Sequence, residues 1–387
     1  MQITLSNAAA GVAKILENSI RMENKEKVRR NYMFNFMAPI NQTSYGLVGF
    51  NVCKELFAAG KECALFPIYN ERHIDCNPKY HHIMHKYIKN AHTFSRANKS
   101  VKLWHQHDLA CFPYSTTENI AWTIFEIDSF SDRELSNLKS VDTHIVCSRW
   151  AANVLVEQKI CENPHVVPLG IDPNIFYPSN YNKKDSVYRI LNVGKAEIRK
   201  GHDILSQIFD LAFDGSENLE IIISWNNPFM SSDEMKKFED CFQYCKVRSK
   251  IKFVGRTPDE FGMSSLMNYC DCGIFPSRAE GWNLPLLEMM ACGKPVITTN
   301  YSAHTEYCDK DNSFLVDISE KEDANDGKWF HSTGQWARIS DREIAEFAAH
   351  IRHCYEHRLS TNEDGERTGL KYTWKNSISN LFNIIGI

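Results

Sequence analysis

The chain has no hydrophobic run long enough to cross a membrane. Among its 387 residues, no stretch reaches the roughly eighteen apolar residues that a transmembrane helix needs. The opening residues, Met1 to Thr4, show no signal-peptide pattern. The sequence therefore predicts a cytoplasmic protein without a transmembrane segment, for which peripheral contact with a membrane stays open.

The net charge and the cysteine spacing give no signal for two further classes, nucleic-acid-binding proteins and zinc proteins. A formal net charge of −4 gives no global signal for nucleic acid. The chain has 13 cysteines, but neither Cys270 with Cys272 nor Cys241 with Cys245 has the paired Cys-x2-Cys spacing of a zinc site. We therefore expect reduced thiols, no disulfide framework and no metal site.

What is present is an alternation of apolar segments with amphipathic helices, over a length that suits two domains. This alternation predicts an α/β protein with doubly wound parallel sheets. In the first half, strands are expected at 32–37, 101–108 and 141–148, with a helix at 49–59. In the second half, strands are expected at 187–193, 219–224, 251–254, 271–275, 295–298 and 313–316.

Two glutamates carry the strongest functional signal. Glu280 and Glu288 are separated by seven residues within the segment 277–295, between apolar runs at 273–275 and 295–298 that read as buried parallel strands. A strand, a loop, a helix and a strand in this order place the glutamates at the carboxyl ends of strands. Open α/β sheets bind ligands at that edge.

The helix between these strands is expected to run from about Leu284 to Cys292. Pro285 suits the first helical position, and Gly293 suits the residue just past the helix end. The free N–H groups around Asn283 and Leu284, together with the helix dipole, would suit a diphosphate. The sequence therefore predicts an anion site at the start of this helix.

The segment 277–295 resembles the Glu-x7-Glu signature of family-four retaining glycosyltransferases, which use nucleotide sugars. The resemblance implies the GT-B fold, in which two Rossmann-like doubly wound lobes enclose the active site in the cleft between them. It implies that Glu280 is catalytic and contacts the donor sugar near its reacting carbon, and that Glu288 binds the nucleotide ribose.

The same resemblance assigns the residues after the first glutamate to donor binding: Gly281, Trp282, Asn283 and Leu284. The family usually has Phe-Gly where Trp282-Asn283 stands, so the fit around the sugar and the phosphates is expected to differ. In the segment 194–201, Lys195 and Lys200 occupy positions that bind the donor's phosphates in the family. The family usually has arginine at the first of them, and lysine keeps the charge but lacks the bidentate fork.

Three weaker assignments follow from the resemblance. Gly46, in the segment 44–49, matches a glycine turn that could equally be an ordinary helix entry. His107 ends a His-x-His segment and is implied to face the donor sugar, with a purely structural role as the open alternative. Arg256 is implied to contact the donor beside the nucleobase. The arrangement requires no metal and no cofactor besides a nucleotide-sugar donor, with UDP- or GDP-sugar expected.

The expected domain limits follow the same pattern. Residues 1–30 form an appended helix or leader, 31–178 the first lobe and 179–186 the hinge. Residues 187–355 form the nucleotide-sugar lobe, and 356–387 form helices that cross back onto the first lobe, as the resemblance implies.

A basic stretch in the first lobe points to the acceptor. Its candidate residues are Arg72, Lys79, Lys86, Lys89 and Arg96. Three interpretations stay open: a solvated helix face, a patch for anionic lipid headgroups, and a phosphate-contacting patch for DNA. The predicted function is retaining sugar transfer to an acceptor hydroxyl on a glycan, a glycolipid or a hydroxymethylated pyrimidine in phage DNA. A degenerate nucleotide-sugar or glycan-binding module and a GT-B phosphorylase or epimerase stay as alternatives.

Overall fold

The computed structural model describes residues 33–68, 74–109, 114–179 and 185–387. These residues form two lobes, each built on a six-stranded parallel sheet. The predicted leader 1–30 and most of the predicted hinge, 180–184, lie outside the described residues. In the part that is described, no helix is long and apolar enough to cross a bilayer.

The first lobe has the strand order β2-β1-β3-β4-β5-β6. Its strands are β1 (Met33–Ala38), β2 (Glu62–Pro67), β3 (Ser100–Leu103), β4 (Asn119–Trp122), β5 (Thr143–Val146) and β6 (His165–Val166). Its helices are α1 (Ser44–Ala58), α2 (His81–Ala91), α3 (Asp132–Leu138) and α4 (Arg149–Glu157). Phe34, Phe36, Val101 and Leu103 are almost completely buried, as expected for central parallel strands covered on both faces.

The second lobe has the strand order β12-β11-β10-β7-β8-β9. Its strands are β7 (Tyr188–Gly194), β8 (Leu219–Trp225), β9 (Ile251–Val254), β10 (Cys272–Phe275), β11 (Val296–Thr299) and β12 (Phe314–Val316). Its helices are α5 (Leu205–Ala212), α6 (Ser232–Asp240), α7 (Glu260–Tyr269) and α8 (Leu284–Ala291). The two parallel sheets confirm the predicted α/β fold class of two Rossmann-like lobes.

The helix α1 begins five residues earlier than predicted. Asn41 Oδ1 accepts from the backbone N–H of Thr43 at 2.9 Å, which turns the chain directly into the helix. Gly46 lies in the first turn of α1, so the segment 44–49 forms a helix entry, the alternative that the sequence left open, and donor binding by Gly46 stays a prediction. A Cβ on Gly46 would lie 2.3 Å from the carbonyl oxygen of Asn41, so the absence of a side chain permits close packing of this turn.

A hairpin that the sequence did not predict joins the two lobes. Its strands β13 (Lys321–Asn325) and β14 (His331–Ala337) pair antiparallel. Their mostly polar composition carries no apolar run, which explains why they were missed. Trp336 of the hairpin is buried in a cluster with Phe125 and Ile127 of the first lobe.

Three helices, α9 (Asp341–Glu356), α10 (Glu363–Lys371) and α11 (Trp374–Ile385), follow the hairpin. The backbone N–H of Trp374 donates to the carbonyl of Ile171 at 3.1 Å, and α11 then packs against α1 of the first lobe. The last helix thus packs on the first lobe. The numerical limits of the domains stay predictions.

Candidate active site

A cavity of about 820 Å³ opens between the two lobes. Its first-lobe wall is formed by the loop before α1, by Lys54 on α1 and by residues 74–81. Its second-lobe wall is formed by the ends of β7, β8 and β9 and by the first turns of α7 and α8. The cavity therefore lies at the carboxyl ends of the second sheet's strands, where ligands bind in open α/β folds.

Glu280 is buried in an ion cluster on the loop that leads into α8. Its Oε1 accepts hydrogen bonds from Lys200 Nζ at 2.6 Å and from Ser277 Oγ at 2.9 Å, and its Oε2 accepts from Arg199 Nη1 at 2.8 Å. Burial raises the pKa of Glu280, but the charges of Lys200 and Arg199 outweigh burial and hold that pKa well below its usual range. The loop that leads into α8 therefore holds a fixed, ionised carboxylate.

The cations come from the loop after β7, which is packed tightly against the loop that carries Glu280. Gly201 has a φ of +69°, and a Cβ there would lie 2.0 Å from the carbonyl oxygen of Pro276. The backbone N–H of Arg278 donates to the carbonyl of Arg199 at 2.7 Å. Only glycine suits position 201, because both the left-handed backbone and the close approach exclude a side chain.

Lys195 lies on the cavity wall, with its Nζ 2.7 Å from Glu197 Oε1. Glu197 Oε2 accepts from Arg199 Nη2 at 2.7 Å. Burial raises the pKa of Glu197, but the charges of Arg199, Lys195 and Lys200 lower it to about 2. Both lysines predicted to bind phosphate are thus paired with carboxylates, Lys195 with Glu197 and Lys200 with Glu280.

Glu288 has a different environment from Glu280, although both belong to the same motif. It lies on α8 and lines the cavity, together with Glu260 at the start of α7. Burial, and then the charge of Glu260, raise the pKa of Glu288 to about 8. A carboxyl group near its pKa can accept or donate hydrogen bonds, which suits sugar hydroxyls.

The start of α8 is held in an unusual backbone conformation. Asn283 has φ 76° and ψ 71°, in the left-handed region. Its Nδ2 donates to His304 Nε2 at 3.0 Å, because His304 Nδ1 lies 3.1 Å from the carbonyl oxygen of Thr299 and must carry the proton there. Burial lowers the pKa of His304 to about 4, which keeps the ring neutral. The histidine therefore holds Asn283 in place.

Among the described residues, no side chain caps α8, and its first turn holds no acidic residue. The Tyr307 hydroxyl donates to the carbonyls of Trp282 and Asn283 at 2.7 and 3.2 Å. These carbonyls therefore face Tyr307, and no capping side chain accepts from the N–H groups at the described start of α8. A helix start of this kind favours an anion.

Gly281 and Trp282 shape the loop through packing. A Cβ on Gly281 would lie 2.5 Å from Ile124 Cγ2, so this glycine lets the two lobes touch. The Trp282 ring is buried, with its centroid 4.8 Å from that of Tyr307 and 5.7 Å from that of Tyr372. Trp282, which departs from the family pattern, thus fills an aromatic cluster behind the loop.

His107 lies at the exposed end of an aromatic stack in the first lobe. Ring centroids are 5.4 Å apart for Tyr45 and Trp104, 4.2 Å for Trp104 and His105, and 3.8 Å for His105 and His107. Burial lowers the pKa of His105 to about 3 and also lowers that of His107. The contact of His107 with a donor sugar stays a prediction.

Arg256 lines the cavity and crosses to the other lobe, where its Nη2 donates to the carbonyl of Gln42 at 2.6 Å. The predicted basic patch lies only partly on the cavity wall. Lys79 lines the cavity, Lys86 lies 2.7 Å from a carboxylate oxygen of Glu62, and Lys89 is exposed near the end of α2. Of these three lysines, only Lys79 borders the cavity.

Of the two remaining patch residues, Arg96 does not line the cavity. Arg96 Nε donates to the carbonyl of Tyr114 at 3.1 Å. Arg72 lies outside the described residues. The ring of Tyr87 is completely buried, so this side of α2 faces the core.

Sequence reasoning missed Arg199, Glu126 and Glu260. Arg199 lies in the segment 194–201, in which the phosphate-binding role was assigned to Lys195 and Lys200. The nearby acidic residue Glu197 could have indicated that Arg199 forms an ion pair. Glu126 has no local motif, since it reaches the cluster only through tertiary packing, with its Oε1 3.8 Å from Arg199 Nη2. Over the described ranges, no group of three or more His, Cys, Asp or Glu side chains could hold a metal ion.

The family described as glycosyl transferases group 1 matches residues 175–327. Mannosylfructose-phosphate synthase of Agrobacterium fabrum is 22% identical over 192 residues, which cover 45% of this chain and 42% of that protein. A GDP-mannose-dependent phosphatidylinositol dimannoside mannosyltransferase of Mycobacterium tuberculosis is 22% identical over 180 residues, 45% of each chain. The chain spans about half the length of the curated relatives it matches.

Solved structures match over most of the chain. The sucrose-phosphate synthase of Thermosynechococcus elongatus has a TM-score of 0.67 at 14% identity, covering 92% of this chain and 98% of that one. Anabaena HepE, solved with UDP and glucose, has a TM-score of 0.67 at 15% identity, covering 92% of this chain and 100% of that one.

These neighbours confirm that the two lobes have the GT-B fold. With the family match over residues 175–327, the chain resembles the family-four-like GT-B glycosyltransferases.

Proposed function

We propose that the chain transfers a sugar from a nucleoside-diphosphate sugar to an acceptor hydroxyl, with retention of the anomeric configuration. One observation carries the proposal. Arg199 and Lys200 hold Glu280 as an ionised carboxylate on the loop that enters α8. The first turn of α8 and its Glu288 line the interlobe cavity.

The charges of this arrangement match those of the reaction. Departure of a nucleoside diphosphate leaves positive charge on the sugar and negative charge on the phosphate. Lys195, Lys200 and the free amides of α8 would stabilise the phosphate, and Glu280 would stabilise the sugar. Glu288 would hold the ribose hydroxyls. Because the lysines and amides supply the positive charge, the proposed transfer needs neither a metal nor a further cofactor.

The donor is proposed to be a UDP- or GDP-sugar. HepE was solved with UDP and with UDP-glucose, and the mycobacterial relative is named for GDP-mannose. The 820 Å³ cavity lies within the size range of small-molecule sites, about 300–1,000 Å³.

The acceptor is proposed to be anionic and to enter from the first lobe, with Lys79 on the cavity wall as its contact. An anionic glycan, an anionic glycolipid and hydroxymethylated DNA all present hydroxyls beside negative charge. Lys86, which is already paired with Glu62, is the matched control. Lys79→Ala should raise the acceptor KM, and Lys86→Ala should leave it unchanged.

The direct test is thermal-shift and hydrolysis screening with UDP-, GDP- and ADP-sugars, followed by transfer to hydroxymethylated DNA and to lipid extracts. Glu288→Ala should mainly weaken donor binding, whereas Glu280→Ala should lower turnover more than affinity. Glu363→Ala, at an exposed site, is the control. Donor binding without hydrolysis or transfer would favour a binding module, and turnover that needs inorganic phosphate would favour a phosphorylase.

A further inference from the structure

The loop after β4 carries a first-lobe carboxylate into the second-lobe site. Ile124 packs against Gly281, and two residues later the Glu126 carbonyl accepts from Trp336 Nε1 at 2.9 Å. Asp128 follows on the same loop and binds the hairpin. The loop is therefore held between the Glu280 segment on one side and the hairpin on the other.

The hairpin contacts of Asp128 fix this position further. Its Oδ1 accepts from the backbone N–H of Gln335 at 2.7 Å, and its Oδ2 lies 2.8 Å from Lys321 Nζ. Both partners belong to the strands that the sequence did not predict. The hairpin thus determines where the Glu126 side chain lies.

The side chain of Glu126 faces Arg199. Its Oε1 is 3.8 Å from Arg199 Nη2, the same nitrogen that donates to Glu197, while Nη1 donates to Glu280. One buried guanidinium therefore serves three carboxylates, and one of these comes from the other lobe. Glu126 has no part in the proposed donor contacts.

We infer that Glu126 is a positioning residue that shares the charge of Arg199 and thereby keeps Glu280 negative enough to stabilise the reacting sugar. The inference rests on the proposed function, because it assigns Glu280 to the sugar. When Glu126 is neutral, Arg199 interacts more strongly with Glu280 and weakens its effect on positive charge. Turnover should then fall while donor affinity is retained.

The protonation of Glu126 gives a distinctive signature. Burial raises its pKa, the charge of Arg199 lowers it, and the net change is upward. The groups that face it are Arg199, Glu280, Glu197, Lys195, Tyr45 and Cys147. Wild-type kcat should therefore fall in acid, at a pH above the usual range of a glutamate.

Glu126→Gln is the kinetic test, with Glu126→Asp as the conservative variant and exposed Glu157→Gln as the control. We expect kcat for donor hydrolysis to fall roughly tenfold in Glu126→Gln, donor KM to stay within about twofold, and the acid limb to disappear. Glu126→Asp should restore part of kcat together with the acid limb. An acid limb unchanged in Glu126→Gln, or kcat within about twofold of wild type, would overturn the inference.

A thermal-unfolding cycle tests the shared charge without any activity. The change in Tm caused by Glu126→Gln is compared in the wild-type and Arg199→Met backgrounds. A shift that is clearly different in the second background supports the inference, and an equal shift in both overturns it. Absence of nucleotide-sugar binding and turnover in the wild type would instead refute the proposed function.

Discussion

Replacement of Arg199 by methionine should be one of the most damaging single changes in the second lobe. The Arg199 side chain is only 5% exposed. Its guanidinium donates to Glu197 at 2.7 Å, to Glu280 at 2.8 Å and to the carbonyl of Ala279 at 2.7 Å. Methionine would keep much of the packing volume but leave both carboxylates buried without this cation.

The magnitude follows from the unpaired charges. Removing one partner of a buried ion pair destabilises by about 3–5 kcal/mol, and for a domain of this lobe's size each kcal/mol lowers Tm by roughly 2–4 °C. Arg199→Met should therefore lower the Tm of the second lobe by roughly 6–20 °C at pH 7. Lys195 and Lys200 remain next to the carboxylates, so the lower half of this range is expected.

The direction in which stability changes with pH follows from the shifted pKa of Glu197. The pKa of Glu197 is lowered to about 2 from 4.5, so its pairing contributes stability above pH 4.5 that is lost as the pH falls toward 2. In Arg199→Met the main lowering charge is absent. The gap in Tm between wild type and variant should therefore be largest near neutral pH and shrink below pH 4.5.

The assay is thermal unfolding followed by circular dichroism from pH 3 to pH 8. Arg367→Met, which changes an arginine with a 64% exposed side chain, is the control and should shift Tm by little. A Tm for Arg199→Met within about 2 °C of wild type at pH 7 would refute the reasoning. So would a gap that does not depend on pH.

Three further changes have defined outcomes. Because the pKa of Glu288 is raised from 4.5 to about 8, the wild-type protein loses stability as the pH rises between these values. Compared with wild type, Glu288→Gln should have a Tm several degrees higher at pH 8 and the same Tm at pH 4.5, and it should bind nucleotide more weakly. A Tm equal to that of wild type at pH 8 would contradict this. Gly201→Ala should destabilise the protein by about 1–3 kcal/mol or more, because residue 201 has a left-handed backbone and its Cβ would meet a backbone oxygen. Gly255→Ala is the control: a Cβ there would meet no atom within 4 Å, so this variant should unfold in denaturant like wild type. Trp336→Phe loses a hydrogen bond between the lobes and should destabilise the protein by about 1 kcal/mol. Trp329→Phe changes a half-exposed ring and should not destabilise it. Equal effects of the two variants in denaturant unfolding would refute the role of Trp336 in anchoring the hairpin to the first lobe.

Local sequence patterns predicted the strand before the Glu-x7-Glu motif and the helix within it. The apolar run at 272–275 forms β10, and Pro285 and Gly293 bracket α8 as expected, because terminal residues of a helix act through their own backbone. The start of α1 was predicted wrongly. It depends on a side-chain turn at Asn41 rather than on hydrophobic spacing.

The hairpin 321–337 shows the limit of such reasoning. Its strands are polar, so hydrophobic periodicity gave no signal, and they are stabilised by contacts with the other lobe. Trp336 reaches the Glu126 carbonyl, which is 210 residues away in sequence. No local rule could place these two residues together.

The sequence by itself determined the fold class and the family resemblance, because strand and helix periodicity and the Glu-x7-Glu spacing are local properties of the chain. Only the tertiary structure decided the electrostatic roles of the two glutamates. Glu280 receives two cations and is held ionised, whereas Glu288 lies near Glu260 with its pKa raised to about 8. A pKa depends on burial and on charges brought close by folding, so identical residues in one motif acquire opposite properties.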